Sequence, residues 1–159
     1  MKVHVLSKTE TALLIDDLKR WPPNEIPRIK NLKSFEVEKN KKFLIHENFI
    51  AIKIDKTILP FVGNTALINS FPYVLVDMGA IKFICNGAKI MRPGIIYFSL
   101  FLKNDIVIIK DKEHLKPIAV GLALEDSEKA KTLSRGYIID NLHYVGDKFW
   151  ELYKEIKLQ

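Results

Sequence analysis

Lys82, Asn86, Lys89 and Arg92 lie on or beside three glycines, Gly79, Gly87 and Gly94, in a segment otherwise built of apolar residues. Small residues at Gly87 and Ala88 let a sugar-phosphate backbone come close. Amides at a turn can donate to phosphate oxygens, and Lys89 and Arg92 can neutralise its charge. The chemistry that these types and spacings support is polyanion binding. A purely structural use is equally open: the glycines serve the turns, and Arg92 pairs with Asp77 or another core carboxylate.

Residue types that perform covalent chemistry are not grouped in this way. His4, His46, His114 and His143 are scattered, and none lies within helical reach of another, so no zinc-type spacing arises. Cys85, the one cysteine, rules out an internal disulfide and reads as a small buried hydrophobe. Asp16 and Asp17 sit on a helix face without an evident partner. There is no nucleophile elbow, phosphate loop or dinucleotide fingerprint. The expectation is a noncatalytic protein with no cofactor and no metal.

Local signals predict how the polyanion segment is held. An apolar run ending at Val76 meets Asp77, a good N-cap for a helix starting near Gly79. Ala80, Ile81, Ile84 and Cys85 make one apolar stripe, with Lys82 and Asn86 turned outward. Gly87 stands where the helix ends and φ becomes positive. Ile90 and Met91 resume an extended run, and Arg92-Pro93-Gly94 predicts a type II turn with Gly94 at its φ > 0 position.

Val76-Asp77-x-Gly79-Ala80, followed by Gly87-Ala88-x-Ile90-Met91-Arg92-Pro93-Gly94-Ile95, resembles the opening of a PUA domain. Downstream, Asn104-Asp105-Ile106-Val107, Ile118-Ala119-Val120-Gly121 and Arg135-Gly136-Tyr137 match later family motifs, with Asn104 replacing a glycine. His143-Tyr144, Asp147 and Trp150 resemble the tail of the malignant T-cell-amplified-sequence family of ribosome-associated translation factors and its archaeal relatives. That resemblance implies an α+β chain: residues 1–72 as a small pre-PUA-like domain, then residues 73–159 as a PUA pseudo-β-barrel with flanking helices. It implies binding of structured RNA, either the tRNA acceptor end or ribosomal RNA, through Lys82, Asn86, Gly87, Ala88, Lys89, Met91 and Arg92, with His143 and Tyr144 behind them. It also implies association with the small ribosomal subunit and a protein partner. Two alternatives stay open: an accessory RNA-binding subunit of a tRNA-modifying enzyme, and a PUA-like binder of a small molecule or modified nucleotide.

Elsewhere, Lys2–Leu6 alternates as a strand and Ser7-Lys8-Thr9-Glu10 fits a capping box. A helix is predicted over 8–20 with Ala12, Leu13, Ile15 and Leu18 inward, stopped by Trp21-Pro22-Pro23. Residues 24–32, interrupted by Pro27, have no clean period. Four strands are predicted over 34–38, 42–46, 49–54 and 57–61, and a brief helix ends at Ile68, before a boundary at Phe71-Pro72. In the second half, strands are predicted over 106–110, 117–124 and 136–141. A helical turn over 127–131 and a closing helix over 147–157 complete it, the latter with Phe149, Trp150, Tyr153 and Ile156 on one face.

Net charge is +6. Residues 1–72 carry twelve Lys+Arg against eight Asp+Glu, and the remainder thirteen against eleven, so the excess is spread and leans to the first half. A pI near 9.3 agrees with a nucleic-acid binder but equally with a lysine-rich, heat-adapted surface. No apolar run approaches the ~18 residues that span a bilayer, and a signal peptide is not evident, which predicts a cytoplasmic protein with no membrane association.

Overall fold

In the computed structural model, which describes residues 2–26, 28 and 30–157, local signals begin the chain as expected. Pro27 lies outside the described residues. Strand β1 (Val3–Val5) leads to helix α1 (Lys8–Asp17), whose capping box is complete: Ser7 Oγ accepts from the Glu10 N–H while Glu10 accepts from the Ser7 N–H. The helix is shorter than predicted, because the Leu18 N–H turns back three residues to the Ile15 carbonyl. Its buried face differs in part: Leu18 points inward as predicted, joined by Thr11 and Leu14, while Ala12, Leu13 and Ile15 are exposed. The i, i+3, i+7 spacing of the inward trio is the tighter helical stripe. Trp21 follows, buried, with its indole N–H donating to the Ile58 carbonyl at 2.9 Å.

Four strands then form a meander: β2 (Lys33–Glu38), β3 (Lys41–His46), β4 (Phe49–Ile54) and β5 (Thr57–Pro60). With β1 at its edge the sheet is wholly antiparallel, in chain order. The turns rely on left-handed residues at Asn40 (φ 64°), Glu47 (φ 49°) and Asp55 (φ 53°). Asn and Asp tolerate that conformation better than Glu does. Helix α2 (Thr65–Ile68) ends this unit, which spans Met1–Ser70.

The second unit, Phe71–Gln159, is a six-stranded, nearly closed barrel-like sheet. Its elements are β6 (Tyr73–Val76), α3 (Ile81–Ile84), β7 (Ile90–Met91), β8 (Ile95–Phe98), β9 (Ile106–Asp111), β10 (Pro117–Ala123), α4 (Ser127–Thr132), β11 (Tyr137–Tyr144) and α5 (Lys148–Lys157). The strand order is β7-β11-β10-β9-β6-β8, and only the β6–β9 pair is parallel. Both units mix helices with sheets, so the fold is α+β. Val74, Val76, Ile84, Ile90, Val107 and Ile139 are among the side chains that fill the barrel.

Strand β11 runs three residues beyond the predicted end at Asn141, because its partner β10 pairs as far as Ala119 opposite Tyr144. Beside this pair, a Cβ placed on Gly121 would lie 2.0 Å from the Asp140 carbonyl oxygen, so the two strands approach too closely for any side chain there. Gly94 is different. It lies in a 3-10 turn, Arg92–Gly94, and is not at positive φ, which corrects the predicted type II turn. Pro93 presets a helical φ and the backbone winds rather than reverses. Among the described residues no helix is long and apolar enough to cross a membrane.

Two buried or half-buried carboxylates brace this unit. Asp147 is pushed up by burial, but its 2.7 Å bond to His143, the charge of that ring and the Trp150 and Tyr144 amides outweigh this. Its carboxyl is held below the ordinary value. Asp111 behaves alike: burial raises it, while the amides of His114, Lys116 and Glu113 lower it further.

Both shifts are downward, so their stabilisation is complete above the unfolded carboxylate value of about 3.9 and is lost as pH falls through the folded values. The thermal midpoint should therefore drop on acidification below about pH 4. Asp147→Asn should start lower at pH 7 and fall less, as scanning calorimetry across pH would read. Gly121→Ala should cost about 3 kcal/mol or more in denaturant unfolding through overpacking against backbone. Gly94→Ala, whose new Cβ would meet the Ala80 Cβ at an ordinary 3.5 Å, should be nearly neutral.

Candidate nucleic-acid interface

Asp77 begins the site as expected. Its carboxylate accepts from the Gly79 N–H at 3.3 Å and caps a 3-10 turn, Met78–Ala80, that runs into α3. The Asp77 carboxylate also sits 3.5 Å from Lys112, and not on Arg92. Helix α3 is a single turn. It is held by Ile84 in the barrel, with Ala80, Ile81 and Cys85 packed beside it, as the predicted stripe requires. Burial pushes the Cys85 thiol up, which argues against a nucleophile. Gly87 then takes φ 96° and turns the chain toward β7.

The outward side carries Lys82, Phe83, Asn86, Gly87, Ala88, Lys89 and Met91, all exposed. Phe83 is 59% and Met91 50% exposed, high for residues of this size. Together with Ala80, Ala88 and Pro93 they line a mostly apolar cleft of about 460 Å³. Lys89 is at this cleft too, its Nζ 5.4 Å from the ring centroid of Tyr137, which is 59% exposed. The Nζ of Lys82 lies 5.1 Å from the Phe83 centroid. Among the described residues neither lysine pairs with a carboxylate, so both charges face solvent uncompensated.

Three sequence expectations change here. The amides of Asn86, Gly87 and Ala88 are not offered outward; they donate to the Phe83, Ile84 and Phe83 carbonyls at 3.0–3.1 Å. A one-turn helix leaves its carbonyls unpaired, and the following turn consumes them. Arg92 is likewise engaged: Nε donates to Ala130 O at 2.9 Å, Nη1 to Ile95 O at 3.0 Å and Nη2 to Lys131 O at 3.4 Å. Its guanidinium stacks 4.9 Å from the Phe98 ring centroid. His143 is 0% exposed, bonded to Asp147 and edge-on to Phe149, so it cannot touch a surface ligand. Tyr144 underlies the glycine turn, its hydroxyl 3.4 Å from where a Gly87 Cβ would stand.

Sequence reasoning missed Phe83, Tyr137 and Asn141. Phe83 was detectable, being a large aromatic off the apolar stripe and next to outward Lys82. Tyr137 offered only its position after Gly136. Asn141 offered nothing, because its role is long-range: Nδ2 donates to Ile84 O at 3.0 Å and Ala88 O at 2.9 Å. Its Oδ1 is buried without a partner among the described residues, an arrangement that costs roughly 1–3 kcal/mol. No group of His, Cys, Asp and Glu among the described residues could hold a metal.

Residues 72–145 match the model of the PUA domain. An uncharacterised protein of Methanocaldococcus jannaschii is 36% identical over 156 residues, covering 94% of this chain and 95% of the relative. Translation machinery-associated protein 20 of Schizosaccharomyces pombe is 31% identical over 153 residues, 91% of this chain and 84% of the relative. The crystal structure of a hypothetical protein from Pyrococcus horikoshii superposes with a TM-score of 0.81 at 26% identity, covering 95% of this chain and 99% of the other.

The engagement of Arg92 generates a stability prediction. Arg92→Ala should lower unfolding free energy by about 3 kcal/mol, since charged donors to three carbonyls are lost. Arg92→Lys should recover less than half, because a single ammonium cannot reproduce the planar fork. Chemical denaturation of the three proteins checks this.

Proposed function

This chain belongs to the PUA-domain family of translation machinery-associated protein 20, and we propose that it is a noncatalytic, cytoplasmic RNA-binding protein of translation. Its RNA is the acceptor end of tRNA or a comparable unpaired segment of ribosomal RNA. The single observation that carries this reading is the pair of uncompensated lysines, Lys82 and Lys89, flanking an exposed cleft with Phe83 and Met91 in it. Cations take phosphates, and exposed apolar and aromatic side chains take the faces of unstacked bases. A duplex hides those faces, which is why the reading favours a single-stranded end. Gly87 and Ala88 let the strand approach. Arg92, His143 and Tyr144 support the site from within.

The low polarity of the cleft favours a second reading, in which an apolar side chain of a partner protein occupies it. The two readings differ in salt dependence. Polyanion binding weakens as counterions are retained at high salt, with a log–log slope of roughly 0.7 per neutralised phosphate for single strands. Apolar docking has little such slope.

Fluorescence anisotropy against intact tRNA, tRNA trimmed of its 3′ end, an RNA duplex and a DNA duplex, each at several salt concentrations, separates these readings. Intact tRNA should bind best, and trimming should remove the preference. Lys82→Ala and Lys89→Ala should each reduce the salt slope by about 0.7, one single-strand phosphate contact apiece. Phe83→Ala should weaken binding by about 5-fold to 100-fold, the range expected for a lost base contact. Equal, salt-insensitive binding to all four nucleic acids, unmoved by the variants, would overturn the RNA reading in favour of the partner.

A further inference from the structure

We propose that Asn141 is the positioning residue of this site, setting the shape of the Cys85–Ala88 turn without itself contacting RNA. The inference rests on the RNA reading above and goes beyond it by naming what holds the recognition turn in its binding geometry.

The turn has little rigidity of its own. Helix α3 has four residues, too few to be stable by local hydrogen bonding. Gly87 at φ 96° is the least conformationally restricted residue available. The backbone bonds of Asn86, Gly87 and Ala88 all return to α3 itself, so they hold the turn only as firmly as α3 is held. Among the described residues, one side chain from elsewhere in the fold hydrogen-bonds this backbone, and that is Asn141, more than fifty residues away.

Its geometry suits the task. The single Nδ2 carries two hydrogens, one for Ile84 O at the end of α3 and one for Ala88 O beyond the turn. Bridging those carbonyls fixes the two ends of the segment that bears Asn86 and Gly87 and leads into Lys89. The amide cannot be reversed, because Oδ1 would then face two carbonyl oxygens. Nor can Asn141 drift: it pairs with Gly121, where β11 lies against β10 so closely that no Cβ fits. The cost of this orientation is visible in Oδ1, buried without a partner. An apolar residue of the same size would avoid that cost but could not bridge the carbonyls.

The test uses Asn141→Leu, which keeps the same branched arrangement of heavy atoms, is uncharged and is free of the unpaired oxygen. Its thermal midpoint should stay within a few degrees of the parent, while amide exchange at Gly87 and Ala88 accelerates. Affinity for intact tRNA should fall about tenfold, the equivalent of about 1.4 kcal/mol. The salt slope should stay unchanged, because no phosphate contact is lost. Lys89→Ala, run in parallel, should instead reduce the slope. Should Asn141→Leu fail to fold, Asn141→Ser carries the same test. Unchanged tRNA affinity in a variant with faster exchange would overturn the positioning role while the Lys89→Ala result leaves the RNA reading standing. If Lys89→Ala also binds as the parent does, the RNA reading falls, and this role with it.

Discussion

The guanidinium of Arg92 closes the seam of the barrel-like sheet. Strands β7 and β8 lie at opposite ends of the strand order yet are joined by the three-residue turn that Arg92 begins. From there the side chain reaches the Ile95 carbonyl of β8 and the Ala130 and Lys131 carbonyls of α4, with its face on Phe98. At the end of this six-residue helix the Leu133 N–H already donates to the Ala130 carbonyl, and the Arg92 cation adds a second donor there, takes the Lys131 carbonyl and opposes the helix dipole. One planar, permanently charged fork thus ties both open edges and the connecting helix together. The cleft depends on this closure, because β7 and the Pro93 turn form one of its sides.

That arrangement divides labour among the basic residues. Arg92 gives its donors to the protein, whereas Lys82 and Lys89 lean on aromatic rings and keep their ammonium groups in water. Lysine suits that position, since it is a strongly hydrated point charge on a flexible stem. The contrast has a physical basis. A guanidinium is weakly hydrated and its fork matches fixed carbonyls, so burying it costs less than burying an ammonium. The cations left at the surface are therefore the ones able to meet a mobile polyanion.

Beneath the cleft, polar anchoring continues in a second tier. His143 and Asp147 join the end of β11 to the start of α5, and Asp111 gathers three amides at the β9–β10 turn. Each is a carboxylate saturated with donors, which is the condition under which a charge can be taken out of water without destabilising the fold. Tyr144 and Asn141 then pass this order upward to the glycine turn. The turn's own amides bond only locally, so the two Asn141 bonds are what tie its backbone to the sheet.

Much of this was legible in the amino-acid order. The capping box at Ser7, the four successive strands of the meander, the Asp77 cap and the positive φ of Gly87 were all read locally. Each depends on residues within four positions of one another, so the chemistry that decides them is contained in a short window. The matched PUA motifs extended that reading to the α+β architecture. Where Leu13 and Ile15 were placed inward, hydrophobicity alone was too coarse, because several stripes fit one helix and the sheet selects among them. Only the tertiary structure decided which basic residue was consumed and which was free. It also sent the turn amides inward, buried His143 and brought Asn141 under a loop more than fifty residues away. Those outcomes are competitions for partners among groups distant in sequence, and they are settled only when the chain has folded and the groups share one space.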